Sequence, residues 1–248
     1  MNARALPIPL MHAHREEQEW NEKILATEVR QPIVKFWTYS APAIVLGCSQ
    51  KSLLRTTESM RRDDVDIVLR RSGGGAVLVG PWFISVSVAL PKDHMLVSKG
   101  LINSFQWLGD CFKRVLVQLD VNAQLVDPGT QENEEIMNDG ACLDWACFGK
   151  LSAWEVIANR KKIVGLAQVR RRNGVLLVGG LLKSKSDWGL LCSKLNKSER
   201  HIDKLKNITV SYEEETGKRI SDKEIIRLLS LAISNKLKDK AEDKLVLT

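Results

Sequence analysis

Apolar and polar residues alternate along Ile84–Leu90, where Ile84, Val86, Val88 and Leu90 are interleaved with Ser85, Ser87 and Ala89. A period of two sends neighbouring side chains to opposite faces, which predicts a half-buried strand. Leu101, Phe105, Leu108, Phe112, Val115, Leu116 and Leu119 recur at helical spacing instead, so Ser98–Leu119 is expected to be a core helix. Shorter apolar runs predict strands at Ile33–Thr38 and Ala43–Gly47, joined by a turn holding Pro42, and at Val65–Arg70. Three more strands are expected at Trp154–Ala158, Lys162–Ala167 and Val175–Leu182. Their hinges are RKK and RRRNG, and Asn173-Gly174 is a hairpin signal. Glu16–Val29 reads as a helix, and the acidic stretch Asp127–Gly140 as a loop.

The last part of the chain changes character. Charge rises, and Ser221-x-x-Glu224 forms a capping box ahead of a helix with Ile225, Leu228, Leu229 and Ala232 on one face. We therefore expect one large domain over residues 1–195 and a C-terminal helical extension over 196–248. Helices and hairpins in this order predict an α+β fold with a mixed, largely antiparallel sheet and packed helices.

Composition narrows the setting. No apolar run reaches the ~18 residues of a membrane helix. The opening MNARALPIPLMHAHREE holds two prolines and leads straight into a charged helix, so it reads as a mature terminus and not a signal peptide. The five cysteines (Cys48, Cys111, Cys142, Cys147, Cys192) are odd in number and form no CxxC. That supports neither a disulfide framework nor a zinc knuckle, no metal site is expected, and a reducing, cytoplasmic location fits best.

The formal charge is +7, and its distribution says more than its size. Between Glu155 and Asp187 there is no acid, while Arg160, Lys161, Lys162, Arg170, Arg171, Arg172, Lys183 and Lys185 are all basic. Such a stretch attracts a nucleotide phosphate, an acidic protein or nucleic acid, or is simply a solvated surface. Nucleic acid ranks low, because no aromatic stands among these bases; Trp154 precedes and Trp188 follows them.

Three segments could carry chemistry. In RRSGGGAV, residues 70–77, Gly73, Gly74 and Gly75 let backbone N–H groups approach a ligand, while Arg70 and Arg71 can fork onto a carboxylate or phosphate. A strand bulge is the plainer reading of the glycines. In RKKIVGLAQ, residues 160–168, a lysine entering an apolar strand can become a fixed cation beside reacting oxygens, although alone it is an ordinary hinge residue. In GVLLVGGLL, residues 174–182, the gap at Gly179 and Gly180 suits an acyl chain, although alone it is core.

In this order, RRSGGGAV, RKKIVGLAQ and GVLLVGGLL resemble the lipoate/octanoate branch of the biotin and lipoate protein ligase family, and the upstream PAIVLGCSQ with Gly47 and Gln50 matches its early strand and turn. The resemblance runs from about Glu16 to Leu182. It implies a fold like that of biotin ligases and class II aminoacyl-tRNA synthetases. It also implies transfer of a lipoyl or octanoyl group to a lysine of an acidic lipoyl carrier domain, such as H-protein. By resemblance Lys162 is the family's lysine. Arg70, Arg71, Ser72, Gly73, Gly74, Gly75, Ala76 and Val77 hold the acyl and phosphate groups. Gly165, Ala167 and Gln168 line the acyl pocket with Gly179 opposite. The family's usual histidines are absent: Leu78-Val79-Gly80 follow the triple glycine, and Val178 precedes Gly179 of the later strand. That departure leaves a non-catalytic acyl- or nucleic-acid-binding paralogue open.

Two chemistries share the family. A ligase activates the free acid with ATP and Mg²⁺ to an acyl-adenylate, with Lys162 and Arg70 stabilising charge. This is the first expectation. A transferase passes the acyl group from acyl carrier protein through a cysteine thioester. Cys147, 15 residues before Lys162, is the candidate, since ACFGKLSAWEVIANRKKIVGLAQ resembles the cysteine-dependent octanoyltransferases. Most free cysteines are small buried hydrophobes.

Overall fold

The computed structural model describes residues 13–53, 65–98, 100–130 and 143–242. Cys142 and most of the expected acidic loop lie outside the described residues.

Among the described residues six strands form one sheet, in the order β1 (Ile33–Thr38), β5 (Phe83–Leu90), β9 (Gly174–Leu182), β8 (Lys161–Arg171), β7 (Val156–Ala158) and β6 (Ala123–Leu125). Every neighbouring pair is antiparallel. A second sheet places β2 (Ala43–Leu46) between β3 (Asp66–Leu69), which runs parallel to it, and β4 (Val77–Val79), which runs antiparallel. The expected α+β class with a largely antiparallel sheet is therefore the observed one.

Alternation along β5 sorts the molecule into two layers. Ile84, Val86, Val88 and Leu90 join a core with Leu108, Phe112, Val115 and Leu116 of helix α2 (Gln106–Gln118). Phe83 points the other way, into a second core with Val45, Val77, Leu78 and Phe148 beneath the small sheet. Ser85 and Ser87 share that side and are buried. Helix α1 (Ala13–Ile24) covers it, and the residues it buries are Ala13, His14, Glu17 and Asn21. Periodicity of apolar residues misses such a face, because three of the four are polar.

The expected helices differ at their ends. Helix α1 stops at Ile24 rather than Val29, and Asn173 of the β8–β9 turn donates to the carbonyls of Leu25 and Ala26 there. The core helix begins at Gln106, after a short turn at Asn103–Phe105, rather than at Ser98. Gly100 has φ +87 and interrupts any earlier start. Leu101, counted on the apolar face, is 57% exposed. The hinge between β7 and β8 is a tight turn at Asn159-Arg160, both with positive φ, as the twist of a two-residue hairpin demands.

Beyond β9 come α3 (Trp188–Lys194), α4 (Arg200–Ile208), α5 (Tyr212–Thr216) and α6 (Asp222–Glu242). Helix α5 opens on a capping box between Ser211 and Glu214. Ile225, Leu228, Leu229 and Ile233 of α6 lie in the first core with α2. Leu191 and Cys192 of α3 and Leu205 of α4 lie in the second. No described helix is long and apolar enough to cross a membrane.

Helix α1 is tied to β3 through Asp66. His14 Nε2 and Arg15 Nε both lie 2.9 Å from Asp66 Oδ2, and Arg15 Nη2 donates to Oδ1 at 2.7 Å. The hydrogen-bonded Arg15 guanidinium holds the Asp66 carboxyl far below its usual range. A depressed carboxylate contributes stability above its unfolded pKa of about 3.9 and loses it as pH falls further. Asp66→Asn should therefore lower the urea midpoint at pH 7, and the gap from wild type should close on acidification below about pH 4. A gap that stayed constant down the acid limb would refute this anchoring role.

Candidate functional site

A cavity of about 490 Å³, its open mouth included, lies between the two sheets. Its floor is a cross-strand row. Gly165 of β8 faces Gly180 of β9, which faces Ser85 of β5. Two strand spacings make that row roughly 10 Å long. At one end a Cβ on Gly165 would meet Lys162 Cε and the Phe148 ring, each at 3.4 Å. At the other end Ser85 meets α1. Val45, Val77, Val79, Phe83, Ala167 and Val178 make most of the lining apolar.

The glycine loop closes one side, but its glycines serve the chain itself. A Cβ on Gly47 would stand 1.8 Å from the Gly74 carbonyl oxygen, and one on Gly75 would stand 2.6 Å from the backbone of Ala146. Gly74 has φ +91. Ala76 N–H donates to the Trp145 carbonyl, and Cys147 N–H donates to the Ala76 carbonyl at 2.7 Å. The loop is thereby stitched to a segment some seventy residues later. Arg70 holds the loop from within, its Nη2 donating to the carbonyls of Gly73 at 2.8 Å and Gly75 at 3.0 Å.

Cys147 is half-buried, reduced and part of the cavity wall. It opens a single turn, Cys147–Gly149, anchored by Phe148 in the second core. Below the turn lies Lys162, 1% exposed. Its Nζ donates to the carbonyls of Cys147 at 2.7 Å and Lys150 at 2.8 Å, and pairs with Glu155 Oε2 at 2.7 Å. The three ammonium protons thus have three acceptors. Glu155, equally buried, also accepts from the backbone N–H groups of Leu166 and Ser152. Burial pushes the Glu155 carboxyl upward, and Lys162 and the two N–H groups pull it back.

A second buried carboxyl faces the cavity from α1. Glu17 is 3% exposed. Tyr39 Oη donates to its Oε2 and Ser85 Oγ to its Oε1, both at 2.7 Å, and Gln18 Nε2 reaches Oε2 at 3.2 Å. Burial raises the Glu17 carboxyl above its ordinary value, against the hydrogen bonds of Ser85 and Tyr39 and the charge of Arg70. Asn21, one turn further along α1, lines the same cavity.

Of the residues expected to bind substrate, Arg70, Ser72, Val77, Gly165 and Ala167 line the cavity. Gly75 and Ala76 are buried in the stitch to Trp145 and Ala146, and Gly73 and Gly74 are exposed. Arg71 is also exposed and pairs with Glu22. Gln168 and Gly179 face away. Each is one residue from a cavity position, and strand alternation turns it over. Gln168 donates to the Leu101 carbonyl, and a Cβ on Gly179 would strike Phe112 of α2 at 2.4 Å. Gly180 lies where Gly179 was expected. Of the two expected catalytic residues, Cys147 is on the wall and Lys162 is beneath it.

Sequence reasoning missed Glu155, Glu17, Asn21, Tyr39 and Ser85. Glu17 and Asn21 carried a signal, since residues four apart share a helix face. Glu155 is the last acid before the acid-free basic stretch, and nothing local marks it as the partner of Lys162. Of that stretch, Arg160, Arg171, Arg172 and Lys185 are exposed, whereas Lys162 is buried and Lys183 pairs with Asp222.

Comparison with known proteins gives a consistent picture. The family model of the lipoyl protein ligase A/B catalytic domain matches residues 14–234. An octanoyltransferase LipM from Brevibacillus brevis is 28% identical over 223 residues, 83% of this chain and 75% of that protein. Another LipM, from an Exiguobacterium species, is 30% identical over 176 residues, 68% of this chain and 61% of that protein. Among solved structures, lipoate-protein ligase A bound with ATP superimposes with a TM-score of 0.67 at 19% identity, covering 96% of this chain and 86% of the other. A bipartite lipoate protein ligase from Thermoplasma acidophilum, studied with its E2 lipoyl domain, gives 0.64 at 16%, covering 96% and 85%.

Proposed function

This chain belongs to the lipoyl protein ligase A/B catalytic domain family, whose members compared above are named as enzymes, and from that premise we propose that it is an octanoyl- or lipoyl-transferase working through a thioester on Cys147. The single observation that carries the reading is the position of Cys147, a free thiol on the wall of a mostly apolar cavity and next to its glycine floor.

In the proposed reaction Cys147 Sγ attacks the carbonyl carbon of an acyl thioester on a carrier protein. The new S–C bond forms as the bond to the carrier's sulfur breaks, and the departing carrier sulfur takes up the proton that the Cys147 thiol gives up. The acyl chain lies along the row Gly165–Gly180–Ser85. A lysine amine of a lipoyl domain then attacks the thioester, the amide forms, and the Cys147 thiolate departs as the amine loses a proton. Lys162 serves as a positioning residue. By gripping the Cys147 and Lys150 carbonyls it fixes the turn that presents the sulfur, and Glu155 holds the ammonium in place. The exposed bases Arg160, Arg171, Arg172 and Lys185 favour an acidic carrier. Of the expected extension 196–248, we assign the described residues 196–242 the part of closing both cores.

The ligase chemistry first expected, with ATP and Mg²⁺, is the second reading, and lipoate-protein ligase A bound with ATP shares this fold. Of the groups expected to hold its phosphates, Arg70 donates through Nη2 to loop carbonyls and keeps an unpartnered Nε. Arg71 is engaged by Glu22, and Lys162 has no free proton.

The test is to trap the intermediate. Incubated with octanoyl acyl carrier protein and no acceptor, the protein should gain one octanoyl mass, released by hydroxylamine and mapped to Cys147. Adding a lipoyl domain should discharge it. If instead the Cys147→Ser variant still octanoylates the domain from free octanoate and ATP, the ligase chemistry is the correct one.

A further inference from the structure

The cavity carries more polar groups than a saturated chain can use. Glu17, Asn21 and Arg70 all line it, and each is more than nine-tenths buried. Asn21 Oδ1 and Arg70 Nε have no hydrogen-bond partner. Glu17 has three donors but no ion-pair partner among the described residues. One unfilled acceptor and one unfilled donor, beside a carboxyl, mark a place where an occupant is expected to hydrogen-bond.

Their location says which part of the occupant that is. Glu17 is fixed by Ser85, at the opposite end of the glycine row from Phe148 and Lys162. An acyl group joined to Cys147 and laid along that row brings its distal carbons to Ser85 and α1. A methyl end there would bury Asn21 Oδ1 and Arg70 Nε without satisfying them. A hydroxyl both donates and accepts, so it can give its proton to Asn21 Oδ1 or Glu17 and take the Arg70 Nε–H. A thiol does the same more weakly.

We propose that the α1 wall selects an acyl chain bearing a hydroxyl or thiol on its distal carbons over the plain saturated chain of the same length. This inference rests on the transferase reading for where the reacting carbonyl lies. Selectivity follows from the site, because a pocket built to hydrogen-bond a substrate hydroxyl discriminates against the analogue lacking it.

The experiment compares octanoyl and 8-hydroxyoctanoyl acyl carrier protein as donors, using the full chain and a lipoyl domain as acceptor. Wild type should favour the hydroxylated donor by about tenfold or more in kcat/KM. Asn21→Leu should bring the ratio towards unity by raising use of octanoyl, and Glu17→Gln should keep part of it. Equal use of the two donors by wild type, or a preference for octanoyl, overturns the proposal and leaves the transferase reading standing. If neither donor is used, the transferase reading fails. Calorimetric binding of the two free acids then decides: tighter binding of 8-hydroxyoctanoate by about tenfold supports the polar wall, and equal binding rejects it.

Discussion

Lys162→Met is expected to cost about 3–5 kcal/mol of stability, because it strands the Glu155 carboxylate in the interior without its cation. The carbonyls of Cys147 and Lys150 lose their donor at the same time, so the turn carrying the sulfur is freed and transfer should fall below detection. The two effects separate in a second variant. Replacing both members, Lys162→Met with Glu155→Leu, removes the orphaned charge and should recover much of the stability. It restores no donor to the turn, so activity should stay lost. Urea unfolding and octanoyl transfer measured on both variants check this. A loss under about 1 kcal/mol in the single variant, or a double variant that regains transfer, would show that Lys162 does not hold the turn.

Cys147→Ala should lower kcat/KM for octanoyl transfer by about a thousandfold or more, because among the described lining residues no second cysteine can form the thioester. The sulfur is half-buried at the cavity wall, so the unfolding free energy should change by less than about 1 kcal/mol. Activity gone with stability kept is the opposite of the Lys162 pattern, in which both collapse. The expectation fails if the alanine variant retains transfer within tenfold of wild type.

The two patterns reflect how the site is built. Cys147 is presented by a turn that Phe148 anchors in the second core. That turn is held from one side by Ala76, next to the glycine loop, and from below by Lys162. The triple glycine reads in sequence as a cradle for a ligand's phosphate. In the fold its purpose is closer approach between chain segments, Gly47 to Gly74 and Gly75 to Ala146. Arg70 follows the same logic and spends its Nη2 on the loop. Glycines and arginines in a row announce tight backbone geometry, but the partner that needs it is chosen in three dimensions.

By itself the sequence determined the strands at Ile33–Thr38 and Val175–Leu182, the α+β class and the family. These depend on local periodicity, turn residues and short motifs, all of which lie within a few neighbours along the chain. It also singled out Cys147 and the apolar cavity positions Val77, Gly165 and Ala167. Only the tertiary structure decided which face each strand residue takes, turning Gly179 and Gln168 away and bringing Gly180 in, because a one-residue step reverses the face. It alone paired Lys162 with Glu155 and set Glu17 against Ser85 and Tyr39. Burial is what makes those charges matter, and burial follows from long-range packing of β8, β9, β5 and α1. No stretch of sequence can report it, because the groups that exclude water from a carboxylate are seldom its neighbours in the chain.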